Sequence, residues 1–141
     1  MFRLGSIFIP VTNLDQSIAW YQKTLEAILI DEWDGSEKGA SFFFPEGDMQ
    51  LGLIEVEQAQ PTEFKISEIK SNPYYNYIVQ DIDRAYHHLL NQGVEVSSLK
   101  ENKWMSYFDF FDLDGNAFSV VYEKPSSSYH EMQRKQQKRS S

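Results

Sequence analysis

The chain contains a second version of its own first half. Residues 6–15, SIFIPVTNLD, lead into apolar residues at helical spacing, Ile18, Trp20, Tyr21 and Leu25; 68 positions later residues 74–83, YYNYIVQDID, lead into Ala85, Tyr86, Leu89 and Leu90. Each copy is an alternating strand, an Asn or Asp, and then a run of helical period, so Asn13 and Asp81 are natural N-caps whose side chains accept amide hydrogens of the first turn. A sequence that repeats a supersecondary unit folds as a repeat of that unit.

The far ends of the halves match as well. Phe42-Phe43-Phe44, a turn around Gly47-Asp48 and a strand over 50–56 correspond, at an offset of 67, to Asp109-Phe110-Phe111, a turn around Asp114-Gly115-Asn116 and a strand over 117–123. Shorter β-rich pieces at 28–33 and 94–99 lie between, and Gly93 suits the left-handed position that ends a helix. Each half therefore reads strand, helix, strand, strand, strand. The fold class is α+β, with module 1 over 3–56 and module 2 over 74–123 in a single domain spanning 1–124. The segment 57–73 carries Pro61 and Pro73, shows no sustained period and reads as a linker. The segment 125–141 is polar and basic and reads as a disordered tail.

Composition narrows the function classes. With no cysteine in 141 residues, disulfides, thiolate zinc sites and cysteine nucleophiles are excluded, and a reducing cytoplasm suits the chain. The apolar stretch over 4–11 is too short to span a membrane and reads as the first strand. Residues 1–123 hold 8 basic and 20 acidic side chains, whereas 124–141 hold 5 basic and 1 acidic. Such an acidic body repels nucleic-acid phosphates and favours neutral or cationic small molecules. No nucleic-acid or membrane partner is expected. Phosphate loops, nucleophile elbows and His-Glu zinc motifs do not occur.

Three stretches carry a family resemblance: IPVTNLDQSIAWYQKTL (9–25), YIVQDIDRAYHHLLNQGVEV (77–96) and FFDLDGNAFSVVYE (110–123). In order and spacing they resemble the glyoxalase/bleomycin resistance protein/extradiol dioxygenase (vicinal oxygen chelate) family, the last stretch being similar to that family's Asp-Pro-Asp-Gly-Asn turn with Leu113 in place of proline. The resemblance implies two βαβββ modules, each a curved mixed sheet with a helix on its convex face, together forming a cleft. It also implies a homodimer.

Metal-dependent relatives place one ligand on the first and last strand of each module. The resemblance puts those four positions at Ser6, Gly52, Tyr74 and Ser119, which lack the imidazole and carboxylate donors a divalent ion requires. No metal and no cofactor is therefore expected. Strand parity turns Ile7, Ile9 and Val11 toward a helix and leaves Ser6 and Phe8 for the cleft; it likewise leaves Tyr74, Asn76 and Ile78, and Gln50, Gly52, Ala117 and Ser119. Asp109 alternates with Phe108 and Phe110 and sits either at an exposed edge or in the cleft, where it pairs with a cation. Trp33, Trp104, Tyr107 and the run Phe42-Phe43-Phe44 either fill the core or offer π-faces to a ligand. Asp112, Asp114 and Asn116 are assigned to local turn capping.

The leading expectation is a protein that binds a small organic molecule in an aromatic cleft without a metal, through Ser6, Phe8, Trp33, Gln50, Gly52, Tyr74, Asn76, Trp104, Asp109 and Ser119. The rival is a lyase, isomerase or dioxygenase of the same family with displaced ligands at His87, His88 or Asp109. His87 and His88 otherwise face solvent on the second helix, and His130 lies in the tail.

Overall fold

A computed structural model describes residues 1–140, the side chain of Ser140 excepted. Ten strands and three helices follow the chain in two compact units, Met1–Pro61 with Leu113–Asn116, and Thr62–Asp112 with the chain from Ala117 on.

The first unit opens with β1 (Ser6–Val11) and α1 (Leu14–Thr24), continues through β2 (Ile28–Asp34) and β3 (Lys38–Phe43), and closes its sheet with β4 (Gln50–Glu55). The strand order is β1-β4-β3-β2, with β1 parallel to β4 and the remaining pairs antiparallel. The start of α1 is fixed twice: Asn13 accepts from the Gln16 amide at 3.1 Å, and Glu55 at the end of β4 accepts from the Leu14 amide at 2.9 Å. Two otherwise open N–H groups are thereby satisfied. The helix lays Leu14, Ile18 and Tyr21 against Phe42, Leu51 and Leu53, all buried. It ends with Glu26 at φ 58°, a left-handed cap made without glycine.

Leu113–Asn116 also belongs to this unit. Asp114 accepts from the Thr12 amide at 3.2 Å and from the Thr12 hydroxyl, and Asn116 Nδ2 donates to the Pro10 carbonyl at 2.9 Å. Asp114 and Asn116 thus reach beyond the local turn capping expected of them, to partners more than a hundred residues away.

The second unit opens with the hairpin β5 (Glu63–Ser67) and β6 (Lys70–Pro73), followed by β7 (Asn76–Ile78), α2 (Ile82–Asn91), β8 (Lys100–Glu101), β9 (Met105–Phe111), β10 (Ala117–Glu123) and α3 (Ser128–Ser140). Its four-stranded sheet runs β7-β10-β9-β8, the order of the first sheet over again, with β7 parallel to β10. Asp81 caps α2 by accepting from the Arg84 amide at 3.1 Å, and Gly93 at φ 75° ends it. Ile82 and Leu89 are buried along with Phe108, Phe110, Phe118 and Val120.

Three expectations change. The linker is not featureless, because Phe64 and Ile66 alternate with Glu63 and Lys65 and form a hairpin. The strand expected over 94–99 contracts to a bridge from Val96 to Phe110 and the short β8; beside the bridge the Ser97 hydroxyl accepts the Asp109 amide at 2.8 Å, taking a place a backbone carbonyl would fill. The tail expected to be disordered is helical as far as it is described: Ser127 caps it by accepting from the His130 amide at 3.2 Å, and Glu131 and Lys135 pair one turn apart at 3.4 Å. Residue 141 lies outside the described residues.

Candidate functional site: the helix-free sheet faces

In each unit one sheet face is covered by a helix and the opposite face carries the predicted residues. In the first unit the ring of Tyr21 on α1 lies 6.3 Å from Phe42, which marks the covered side. The register then places Ser6, Gln50, Phe43 and Ile28 on one rung of the opposite face, Phe8, Gly52, Ser41 and Asp31 on the next, and Pro10, Ile54, Gly39 and Trp33 on a third. Five predicted residues, Ser6, Phe8, Trp33, Gln50 and Gly52, accordingly share one face. Phe43, exposed on the first rung, comes from the Phe42–Phe44 run, and its pairing with Gln50 places it on this face.

Two glycines on this face lie beneath aromatic rings. A Cβ at Gly52 would stand 2.5 Å from Phe8 Cδ1, so the Phe8 ring occupies the space where a residue at 52 would carry its side chain. Phe8 is 55% exposed above it. A Cβ at Gly39 would meet the Trp33 ring and would lie 2.8 Å from the Leu53 carbonyl oxygen.

In the second unit Tyr86 on α2 meets Phe108 edge-on at 5.0 Å, so Phe108 and Phe110 face the helix and Asp109 faces away from it. The register sets Asn76, Ser119 and Asp109 side by side on one rung. Ser119 Oγ donates to Asp109 Oδ1 at 2.7 Å. Asp109 is not at an open sheet edge: on the side away from β10 its backbone is bonded to Ser97, whose amide donates to the Asp109 carbonyl at 2.8 Å and whose hydroxyl accepts from the Asp109 amide at 2.8 Å. The next rung holds Ile78, Val121 and Tyr107, and Phe111 pairs with Ala117 on the other side. The result is a half-buried carboxylate held by a hydroxyl, with an amide side chain on the next strand beyond that hydroxyl.

The two rungs occupy equivalent positions in the repeat. Phe8–Gly52–Ser41 in the first unit corresponds to Asn76–Ser119–Asp109 in the second, with offsets of 68, 67 and 68. The structure therefore shifts one part of the sequence alignment: β3 matches β9 at 68, Phe42 corresponding to Phe110, and the one-residue deletion falls in the turn that follows.

Not every predicted residue joins these rungs. Tyr74 precedes β7, and its ring lies 5.5 Å from Phe64 and 6.1 Å from Tyr75. Trp104 precedes β9, is exposed, and has its amide held by Asn102 Oδ1 at 2.8 Å with Lys103 Nζ 6.0 Å from its ring. His87 and His88 lie on α2, which packs on the side of the sheet away from Asp109; His87 Nδ1 is 2.8 Å from the Asp83 carbonyl oxygen. The three displaced ligands of the rival reading are therefore not brought together. His130 Nε2 lies 3.1 Å from the Glu123 carbonyl oxygen.

Among the described residues no group of three or more His, Cys, Asp or Glu side chains is placed to hold a metal ion. The four positions at which the resemblance implied metal ligands, Ser6, Gly52, Tyr74 and Ser119, offer two serine hydroxyls, a phenol and a glycine, and Ser119 directs its hydroxyl at Asp109. This donor set does not fit a divalent ion. Open surface depressions are lined by Tyr129, Met132 and glutamines of α3, and by residues 55–60; neither includes a predicted binding residue.

Residues 3–120 match the family model described as the Glyoxalase/Bleomycin resistance protein/Dioxygenase superfamily. The chain belongs to this superfamily. Solved structures share its fold at low identity. An antibiotic-binding protein from Streptomyces sp. CB03234 is 17% identical with a TM-score of 0.72, covering 88% of this chain and 98% of that one. A superfamily member from Sphaerobacter thermophilus DSM 20745 is 21% identical with a TM-score of 0.71, covering 87% and 98%. A genomically encoded fosfomycin resistance protein from Listeria monocytogenes is 16% identical with a TM-score of 0.69, covering 88% and 95%. Among curated proteins no sequence matches significantly. No helix among the described residues is long and apolar enough to cross a membrane.

Proposed function

We propose that this superfamily member binds a small organic molecule, neutral or cationic, on its helix-free sheet faces without a metal, and that it does so as a cytoplasmic homodimer. The observation that carries the reading is the Asp109 carboxylate, held by Ser119 at 2.7 Å, with Asn76 on the far side of Ser119 along the same rung. One Asp109 oxygen is oriented by the serine, and the carboxylate remains an anionic acceptor for an ammonium or amide group. Tyr107, Phe111 and Ile78 around it supply the apolar contact that small-molecule sites require. On the first unit Phe8, laid over Gly52, is an exposed aromatic surface of the kind that stacks on planar or cationic groups. The net charge of −8 favours cations over anions. The likeness to an antibiotic-binding protein is compatible with sequestration rather than turnover.

The test is a melting-temperature screen of matched cationic, neutral and anionic aromatic compounds, since a ligand that binds only the folded state raises Tm. Cationic or neutral compounds stabilise the wild type, and Asp109→Asn selectively removes the response to cations. A screen in which only anions stabilise, or in which stabilisation requires an added divalent ion, overturns the proposal.

A further inference from the structure

The hairpin β5–β6 stands outside both four-stranded sheets. A two-stranded ribbon is marginal in water unless something covers it. This one leaves Phe64 44%, Ile66 55% and Ile69 97% exposed, with Tyr74 beside Phe64 at 57%.

Its outer edge has a defined polarity. The Tyr74 amide donates to the Thr62 carbonyl at 2.9 Å, and Pro73, which has no N–H, stands opposite Glu63. In an antiparallel ladder hydrogen-bonded pairs alternate with non-bonded ones, so Phe64 bonds with Asn72 while the amides and carbonyls of Glu63 and Lys65 point away from β6. Edges of this kind are templates for another strand.

We propose that β5 pairs antiparallel with β5 of a second copy of this chain about a two-fold axis at Phe64. In that register Glu63 of each copy exchanges backbone hydrogen bonds with Lys65 of the other, and the two side chains meet on one face as opposite charges. On the other face Phe64 meets its own counterpart in the closer, non-bonded position; the register of β5 with β6 shifts only beyond Lys65, outside this contact. The adjacent two-fold registers, about Glu63 or about Lys65, oppose like charges. Glu-Phe-Lys is thus a self-complementary edge, and its charges select one register. Phe64 and Tyr74, whose rings lie 5.5 Å apart and which are both exposed, add apolar surface beside the axis. The proposal locates the homodimer suggested above and is independent of the ligand.

The full chain has no cysteine, so Phe64→Cys places a single thiol on the proposed axis. Non-bonded antiparallel partners have Cα atoms about 4.5 Å apart, within disulfide reach. Under mild oxidation F64C forms a disulfide-linked dimer, and Ser71→Cys on the inner strand does not. By sedimentation equilibrium Lys65→Glu weakens dimerisation about tenfold or more, because both charge pairs become repulsive. The charge-swapped variant Glu63→Lys/Lys65→Glu restores wild-type affinity. If the chain sediments as a dimer but F64C cross-links no better than S71C, this interface is wrong and the homodimer stands. If the chain is a monomer, both are wrong.

Discussion

Ser119 Oγ and Asp109 Oδ1 lie 2.7 Å apart across the β9–β10 ladder, on the rung that Asn76 completes. The serine hydroxyl donates, so the carboxylate is oriented without being neutralised. Asp109→Asn keeps the shape and removes the charge. Its expected effect on any cationic ligand from the melting screen is a loss of affinity of about tenfold or more, read by titration calorimetry, with neutral ligands changed less than about threefold.

Asp114 ties the 113–116 turn to the amide and hydroxyl of Thr12. Asp114→Ala is expected to lower unfolding free energy by about 1–2 kcal/mol in urea titrations. Thr12→Ala, which removes only the hydroxyl, should cost less. Equal losses in the two variants would contradict the role given to the Thr12 amide.

The two glycines under aromatic rings make a contrasting pair. At Gly52 the obstacle to a methyl group is the Phe8 ring, which can swing into solvent; at Gly39 a backbone carbonyl, that of Leu53, also stands in the way at 2.8 Å. Gly39→Ala is therefore expected to cost about 2–3 kcal/mol and Gly52→Ala less than about 1 kcal/mol, measured by chemical denaturation.

Burial pushes the Tyr77 phenol above its ordinary range, and the nearby negative charge of Asp112 adds to the shift. A raised folded value means that the folded state holds the proton more tightly, so the contribution is intact below the unfolded pKa of roughly 10 and is lost as pH rises beyond it. By pH 11 the loss amounts to about 1 kcal/mol. Stability measured against pH should fall less steeply above pH 10 in Tyr77→Phe than in the wild type.

Glu26 holds a left-handed backbone at φ 58° where the second helix has Gly93. A side chain there costs about 1 kcal/mol, so Glu26→Gly is expected to raise stability by up to that amount, read as an increase in Tm.

How much of this was legible depended on the range of the interaction responsible. The N-caps Asn13 and Asp81, the αL residue Gly93 and the inward parity of Ile9 and Val11 follow from neighbours within four residues, and each is found where the pattern put it. Periodicity failed where the signal is short. Phe64 and Ile66 supply only two alternations, so β5 was hidden inside a supposed linker, and Ser97 replaces a ladder bond that no hydropathy pattern records. The helix over Ser128–Ser140 has little apolar periodicity and rests on a serine cap and an i,i+4 ion pair.

The site was half legible for the same reason. Parity put Phe8 and Gly52 on one face and Asn76 and Ser119 on another, but parity cannot say which strand lies beside which. Whether Asp109 sat at an edge or beside Ser119 depended on strand order and register, both set by long-range pairing. The partners of Asp114 and Asn116, 102 and 106 residues away, left no local trace at all.

Those last two bonds make the duplication lopsided. The first unit is written in two places along the chain, and a fragment ending at Pro61 would carry its sheet and helix yet lack the side chains that hold Pro10 and Thr12. The halves are repeats in pattern but not interchangeable parts. Cutting the gene between them removes from one product a piece encoded within the other.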